Sequence, residues 1–357
     1  MSGFMNGKFA SLVPYVPGEQ PKNVANLIKL NTNESPYPPS PKVMEAITED
    51  EISALRLYSD PTCEALVTAI AEYDGVLPEN IYTGNGSDEV LAFCFCAFCE
   101  NGAAFADITY GFYTVFADMY GVKYREVPLR DDFSIGILDY VNLIETVFIA
   151  NPNAPTGLAL PLSEIEVLLQ QDAGRLVVVD EAYVEFGGET AVPLLEKYPN
   201  LLITRTFSKS HSLAGGRVGY AIASKELIAD LNTLKFSINP YNVNRLSILA
   251  GTAAMKDTEY LAETRAKTIE AREYASVALK EMGFKLTDSR ANFIFAGENP
   301  RISGADYFAK LRENAILTRY FPAHRTAGYV RISVGTMEEM KRFVAVTKEI
   351  LGGKQDA

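Results

Sequence analysis

The sequence is poor in cysteine, and most of its cysteines lie close together. It has four, of which Cys94, Cys96 and Cys99 fall in the apolar stretch F-C-F-C-A-F-C at residues 93–99. Small buried thiols pack well in an apolar helix, and this stretch lacks the ligand spacing of a zinc site. We therefore expect no bound metal and no framework of disulfides.

Positive charge and long apolar runs are also scarce. The formal net charge is −12 with a sequence pI near 4.9, and no block of lysine or arginine occurs, which disfavours a nucleic-acid partner. Any anion-binding site must therefore be local. No apolar run approaches the roughly 20 residues of a membrane span, and no basic-then-apolar leader is recognisable, so we expect a cytoplasmic protein without membrane contact.

From Ile81 onward, short apolar strands alternate with helical patterns. Continuous Val/Ile/Leu strands with intervening helices predict a mostly parallel sheet with helices on both faces, an α/β fold. The predicted strands are Ile81–Thr83, Ala103–Ala106, Val122–Val127, Thr146–Ala150, Leu176–Val179, Leu201–Thr206 and Val218–Ala223.

At 357 residues the chain is long enough for two lobes. After Asn239-Pro240 a long helical pattern runs from about Val243 to Met282, followed by strands and helices that predict a smaller α+β domain. A proline-rich N-terminal arm is expected to pack with it. The predicted division is 1–50 for the arm and part of the small domain, 51–238 for the large domain and 239–357 for the small C-terminal domain.

Polar residues follow four of the predicted strands. The segments are G-N-G-S after the first strand, N-P-N-A-P-T-G after Ala150, D-E-A-Y after Val179 and S-K-S after Phe207. Because ligands of open α/β sheets bind beyond the carboxyl ends of the strands, these segments are expected to converge on one crevice.

The S-K-S segment supplies a candidate nucleophile, Lys209. A lysine at the end of a buried strand loses solvation, which makes its amine available toward an aldehyde. Ser208 and Arg217 can hold an anion beside it, and Gly86-Ser87-Asp88 opens a helix whose free N–H groups form a second anion-binding element. A lysine next to an anion site is what an enzyme needs to hold pyridoxal phosphate as a Schiff base.

Three further residues match the same cofactor. Asp180, at the end of the V-V-V strand, can pair with the pyridine nitrogen and keep it protonated. Tyr183 can donate to the ring hydroxyl, and Tyr110 offers a flat face for stacking. Singly each residue also fits a cap, a turn or the core, but together at converging strand ends they favour a pyridoxal phosphate site.

Several motifs then resemble those of the fold-type I pyridoxal phosphate-dependent transferases, and within them the histidinol-phosphate aminotransferase family. The motifs that carry the resemblance are K-L-N-T-N-E-S-P-Y-P-P, L-Y-S-D-P, T-G-N-G-S-D-E, A-D-I-T-Y-G-F-Y, N-P-N-A-P-T-G, V-V-D-E-A-Y-V-E-F, T-F-S-K-S-H-S-L-A-G-G-R-V-G-Y and Y-V-R-I-S-V-G-T. The resemblance implies transamination of L-histidinol phosphate with 2-oxoglutarate, giving imidazole acetol phosphate and L-glutamate.

The resemblance also implies roles for individual residues. Lys209 corresponds to the Schiff-base lysine, Ser87, Ser208 and Arg217 to the residues that hold the cofactor phosphate, and Tyr58 to a residue that reaches this phosphate from the other subunit of a homodimer. Arg331 corresponds to the arginine at the acidic end of the substrate. Tyr15, Asn33 and Arg319 are further candidates for the substrate pocket.

One position departs from the family pattern. The family often has N-P-N-N-P-T-G, with the second asparagine bonded to the ring hydroxyl, whereas this sequence has Ala154 there. Asn153 is the neighbouring residue that can take over this contact, so it is included among the predicted cofactor residues.

Other classes fit parts of the sequence. Gly84-x-Gly86 after a strand is compatible with a nicotinamide-dependent dehydrogenase, but Glu89 stands where the third glycine of that motif belongs. A phosphothreonine decarboxylase, a β-lyase or an aromatic aminotransferase shares the scaffold and most motifs. A non-enzymatic regulator on the same scaffold is disfavoured because the lysine and the aspartate are both present.

Overall fold

The computed structural model describes residues 4–9, 12–21 and 26–352. Parts of the predicted arm, and the last residues of the predicted small domain, therefore lie outside the described residues. Within the described part, no helix is both long and apolar enough to cross a membrane.

Thirteen strands are present among the described residues. They are β1 (Ile28–Lys29), β2 (Ile81–Gly84), β3 (Ala103–Ala106), β4 (Tyr124–Val127), β5 (Thr146–Ala150), β6 (Val177–Asp180), β7 (Leu201–Thr206), β8 (Gly219–Ala223), β9 (Lys285–Leu286), β10 (Phe293–Gly297), β11 (Ile316–Leu317), β12 (Arg319–Tyr320) and β13 (Tyr329–Ser333).

Eleven α-helices accompany them in the same part of the chain. They are α1 (Pro41–Ala46), α2 (Glu49–Ser53), α3 (Glu64–Asp74), α4 (Ser87–Phe98), α5 (Phe112–Tyr120), α6 (Leu162–Gln171), α7 (Lys225–Ile238), α8 (Arg245–Met255), α9 (Thr258–Glu281), α10 (Gly304–Glu313) and α11 (Met337–Gly352).

The central sheet has seven strands in the order β2-β8-β7-β6-β5-β3-β4. Strands β7, β6, β5, β3 and β4 pair in parallel, and β8 runs antiparallel to both β7 and β2. The prediction of a mostly parallel seven-stranded sheet is therefore confirmed. Since β2 has the same direction as β7, its carboxyl end lies at the same edge of the sheet.

Helices cover both faces of this sheet because its strands are apolar on both sides. In β7, Leu201 and Ile203 pack in one core with α3, α6 and α8, while Leu202 between them packs in a second core with α4, α5 and α7. Side chains of a strand alternate between faces, so a strand buried on both faces is continuously apolar. The central strands therefore lie between two packed layers of helices.

A second, smaller lobe is built on the sheet β12-β13-β10-β9, with α9, α10 and α11 packed against it. The chain before the large lobe contributes β1, which pairs in parallel with β11. Ile28 and Leu30 are buried in the same core as this lobe. The exact domain boundaries stay a prediction.

The pattern predicted as helical from about Val243 to Met282 is helical in the structure apart from one short break. Helix α8 ends at Met255 and α9 begins at Thr258. Between them, the carboxylate of Asp257 accepts a hydrogen bond from Ser40 and lies 3.2 Å from the Lys42 ammonium. These partners are more than 200 residues away in sequence, so helical periodicity alone does not reveal the break.

Candidate active site

A cavity of about 270 Å³ opens where the carboxyl ends of the central strands meet. We call it the inner cavity. Its lining includes eight residues that were predicted to bind the cofactor: Ser87, Asp88, Tyr110, Asp180, Tyr183, Ser208, Lys209 and Arg217. Ala154, which follows the predicted Asn153, also lines it. The predicted strand ends therefore do come together.

Lys209 lies between this cavity and a larger one, and lines both. Its Nζ atom donates a hydrogen bond to the backbone oxygen of Thr32 at 3.3 Å and lies 5.7 Å from the centroid of the Tyr183 ring. The amine is thus held at the junction of two spaces, where it can reach a ligand in either one.

Asp180 ends β6 and is 6% exposed. The Tyr113 hydroxyl donates to its Oδ2 atom at 2.9 Å, and the backbone N–H of Ala182 donates to Oδ1 at 3.2 Å, which fixes the carboxylate. Burial raises the pKa of Asp180 to about 6. Among the described residues, no lysine or arginine forms an ion pair with it, so this position suits a ligand with a cationic nitrogen.

At the opposite end of the inner cavity, the start of α4 and the guanidinium of Arg217 lie close enough together to contact one anion. Helix α4 begins at Ser87 after Gly86, and within the described part of the chain no side chain caps its first N–H groups. Gly86 has φ +86°, and a Cβ atom there would lie 2.6 Å from Nη2 of Arg217. A Cβ atom on Gly219 would lie 2.2 Å from the Ser87 nitrogen. Both positions need glycine for the guanidinium and the helix start to lie side by side.

Hydrogen bonds hold Arg217 at this helix start. Its Nη2 atom pairs with Oδ2 of Asp88 at 3.1 Å, and its Nη1 atom donates to Oγ of Ser208 at 3.5 Å. The other carboxylate oxygen of Asp88 accepts a hydrogen bond from the Tyr110 hydroxyl at 2.7 Å. Asp88 thereby fixes both the guanidinium and the Tyr110 ring that lines the cavity.

The second cavity, of about 590 Å³, adjoins Lys209 on the side of the small lobe, and we call it the outer cavity. The four predicted substrate residues line it: Tyr15, Asn33, Arg319 and Arg331. Arg319 and Arg331 are direct cross-strand partners in β12 and β13, and two like charges so placed repel each other. The outer cavity is therefore suited to an anionic ligand.

Arg331 is held between two aromatic rings. Its guanidinium carbon lies 5.4 Å from the ring centroids of both Phe293 and Phe321, and Nη2 donates to the backbone oxygen of Asn31 at 3.1 Å. Burial lowers the pKa of Arg331 below its usual value. Its buried Nε atom has no hydrogen-bond partner among the described residues. The guanidinium is thus preorganised with donor capacity left for a ligand.

The N-terminal arm covers part of the outer cavity. The Tyr15 ring stacks on Phe112 at 4.2 Å, and Arg319 donates from Nη2 to the backbone oxygen of Val16 at 3.2 Å. The guanidinium of Arg319 is thus partly used by the arm.

Three residues predicted to bind the cofactor are not among those that line the inner cavity: Gly86, Asn153 and Tyr58. Gly86 immediately precedes Ser87, the first residue of α4, which does line it. The buried amide of Asn153 accepts from the Thr109 hydroxyl at 2.7 Å and donates to the Ile108 oxygen at 2.9 Å and to Thr156 at 3.1 Å. These bonds use the amide to hold the loop, whereas Ala154 faces the cavity. Tyr58 is 81% exposed and stacks on Tyr241, away from the cavity of its own chain.

Two residues that hydrogen-bond Asp180 or Lys209 were not themselves predicted. Tyr113 orients Asp180, and the signal for it was a tyrosine on the apolar face of α5, the helix that follows β3. Thr32 contacts Lys209 through its backbone oxygen, for which a sequence carries no residue-specific signal.

Comparison with known proteins identifies the class. The family model for class I and II aminotransferases matches residues 25–346, and the chain belongs to this family.

Within this class, the chain is similar to histidinol-phosphate aminotransferases. It is 48% identical to the enzyme of Brachyspira hyodysenteriae, with 98% of this chain and 99% of the relative covered. The corresponding protein of Clostridium acetobutylicum is 47% identical, with 98% and 100% covered. A solved structure of histidinol-phosphate aminotransferase from Sinorhizobium meliloti in complex with pyridoxal-5'-phosphate is 26% identical, with a TM-score of 0.79 and 91% of each chain covered. The family resemblance predicted from the sequence is confirmed.

Proposed function

We propose that this protein transfers the amino group of L-histidinol phosphate to 2-oxoglutarate, using pyridoxal 5'-phosphate and producing imidazole acetol phosphate and L-glutamate, a step of histidine biosynthesis. The observation that carries the proposal is the position of Lys209 between two cavities. One offers an aspartate and an anion site, and the other offers two arginines. The relatives at 46–48% identity bear the name of this activity. A cytoplasmic location is part of the proposal.

The inner cavity fits the cofactor at both of its ends. A buried carboxylate with a raised pKa and no cationic partner among the described residues suits the protonated pyridine nitrogen. The uncapped start of α4, beside Arg217 and Ser208, suits the phosphate. When bound, pyridoxal phosphate supplies an electron sink for the substrate α-carbon and carries the amino group between the two substrates.

The residues of this chain then have separate tasks. With the cofactor bound, Asp180 would keep the ring nitrogen protonated, and Tyr110 would offer its ring face for stacking. Lys209 would hold the cofactor aldehyde and would move the proton of the substrate α-carbon through its Nζ atom. The cofactor phosphate is assigned to the backbone of Gly86 and Asp88 and to the side chains of Ser87, Ser208 and Arg217. Asn153 is not part of the proposal, because its amide is already bonded within the loop.

We assign the substrate anions to Arg331. A planar guanidinium can grip a phosphate or a carboxylate through paired hydrogen bonds, which a lysine ammonium does less well. The donor has a phosphate and the acceptor has carboxylates, so one arginine can serve both substrates in turn. Arg319 and Tyr15 complete the wall of the outer cavity.

Replacing Arg331 with lysine should therefore weaken both half-reactions by similar factors. Each lost charge-assisted hydrogen bond is worth roughly 1.5–3 kcal/mol. Single-turnover kinetics of each half-reaction, monitored by cofactor absorbance, measures the two factors separately. Arg319→Lys is the matched control, with a smaller expected effect because the arm already uses part of the Arg319 guanidinium. A loss confined to the glutamate half-reaction would assign the phosphate to Arg319 instead.

The proposal includes a homodimer with shared active sites. Tyr58 is exposed, and so are the apolar side chains of Ile52, Leu55 and Leu57, which lie within six residues of it in the sequence. Several exposed apolar side chains in one segment support a role of this segment in a protein interface. In the dimer, Tyr58 reaches the cofactor phosphate of the partner subunit.

Mixing Tyr58→Ala subunits with Lys209→Ala subunits should restore activity. A random mixture is half heterodimers, and each heterodimer has one site without either change, so recovery should approach about a quarter of the wild-type rate. The assay is turnover after subunit exchange, with each variant alone as the control. No recovery after demonstrated exchange would show that Tyr58 does not act across the interface.

Substrate specificity is tested by comparing amino donors. We expect the purified protein to use histidinol phosphate with 2-oxoglutarate much more efficiently than phenylalanine or tyrosine, as measured by kcat/KM. Preference for an aromatic amino acid would contradict the proposal, and release of carbon dioxide from phosphothreonine would indicate a decarboxylase.

A further inference from the structure

Asn33 was predicted to contact the substrate, yet the structure places its side chain in a different set of contacts. It is 1% exposed and has φ +56°, a left-handed conformation that asparagine tolerates better than most residues. All four polar groups of Asn33 are bonded within the protein. Its backbone oxygen accepts from the amide of Asn292 at 2.9 Å, and the other three groups contact Ser333 and Tyr183.

The backbone N–H of Asn33 determines which atom donates and which accepts in each of these hydrogen bonds. The Asn33 N–H can only donate, and it donates to the Oγ atom of Ser333 at 2.8 Å. The Ser333 hydroxyl hydrogen is then free to donate to Oδ1 of Asn33 at 2.9 Å. This fixes the amide orientation, so Nδ2 donates to the Tyr183 hydroxyl oxygen at 3.0 Å.

The Tyr183 hydroxyl consequently accepts from Asn33 and keeps its own hydrogen for another partner. No described residue accepts that hydrogen, and Tyr183 lines both cavities beside Lys209. Ala154, which packs in the same cluster as Tyr183 and also lines the inner cavity, has no donor in its side chain. Tyr183 is therefore the hydroxyl that can serve a ligand oxygen there.

We propose that Asn33 is a positioning residue that sets the direction of the Tyr183 hydroxyl, so that Tyr183 donates to the ring oxygen of the bound cofactor. Ser333, on the strand that carries Arg331, fixes this direction from the small lobe. Asn33 thus acts through Tyr183 and does not contact the substrate. The inference rests on the proposed function, since it requires bound pyridoxal phosphate.

The test is a pH titration of the visible absorbance band of the cofactor-loaded protein. A donor stabilises negative charge on the ring oxygen, so the proton reported by this band is released at lower pH. Asn33→Asp retains the shape of the side chain but replaces the donor with an acceptor, which turns the Tyr183 hydrogen away from the cofactor. We expect the pKa of the band to rise by roughly one to two pH units.

Tyr183→Phe gives the benchmark, because it removes the donor itself. If Asn33 acts through Tyr183, the double variant Asn33→Asp/Tyr183→Phe should shift the band no further than Tyr183→Phe alone. Asn292→Asp is the matched control: it makes the same chemical change at a residue bonded to the same turn, but without a bond to Tyr183. Its band should titrate like the wild type.

An unshifted band in Asn33→Asp, additive shifts in the double variant, or an equal shift in Asn292→Asp would each overturn the inference. Should Asn33→Asp fail to fold, Ser333→Ala replaces it, because loss of the Ser333 hydroxyl frees the Asn33 amide to rotate. The Ser333→Ala variant should shift the pKa of the band partway in the same direction. No shift in this variant would overturn the inference. If the wild-type protein shows no visible band with pyridoxal phosphate, the proposed function fails instead.

Discussion

Replacing Lys209 with alanine is expected to abolish turnover. Its amine lies at the junction of the inner and outer cavities, 3.3 Å from the Thr32 backbone oxygen, and no other lysine lines either cavity within the described residues. Both the nucleophile for the cofactor aldehyde and the base at the substrate α-carbon are lost together. The measurements are steady-state turnover and the visible spectrum after addition of pyridoxal phosphate.

The cofactor should still bind to this variant, since Arg217, Ser208 and the start of α4 are unchanged. Its spectrum should lack the band that depends on the lysine amine. Lys197→Ala is a suitable control, because this exposed lysine pairs with Glu166 before the amino end of β7 and lines neither cavity, so its loss should leave turnover unchanged. Near-normal transamination by Lys209→Ala would overturn the assignment of this residue.

Replacing Asp180 with asparagine should slow the reaction by roughly 10²–10³-fold, the cost of losing a preorganised electrostatic contact. The amide keeps an acceptor for the Tyr113 hydroxyl but cannot hold a positive charge on the ring nitrogen. Single-turnover rates with histidinol phosphate measure this effect without the contribution of product release.

Tyr113→Phe separates charge from orientation. It leaves the Asp180 carboxylate in place but removes one of its hydrogen bonds, and should therefore cost less than Asp180→Asn. Equal rates for Asp180→Asn and the wild type would remove Asp180 from the mechanism.

The sequence predicts the framework well because the determinants of the central sheet are local. Strands such as β5 and β7 were predicted with the bounds that the structure shows, since continuous apolar runs bounded by polar residues have few alternative conformations. The convergence of the strand ends follows from parallel connectivity, so Asp180 and Lys209 could be placed together before any coordinates.

What could not be predicted depends on tertiary contacts. At the break before α9, Asp257 is bound by Ser40 and Lys42 from a distant part of the chain. Asn153 and Asn33 have the same side chain and both belong to motifs of the site. Only the structure shows that one amide holds a loop while the other bonds Tyr183.

The most direct measurement of the proposed function is a stoichiometric titration of the cofactor-loaded protein with histidinol phosphate in the absence of any acceptor. We predict that about one equivalent per subunit converts the visible band completely, because the amino group stays on the protein-bound cofactor. Addition of 2-oxoglutarate alone should then restore the original band and release glutamate. A band that recovers without an acceptor, or one that histidinol phosphate leaves unchanged, would contradict transamination of this substrate.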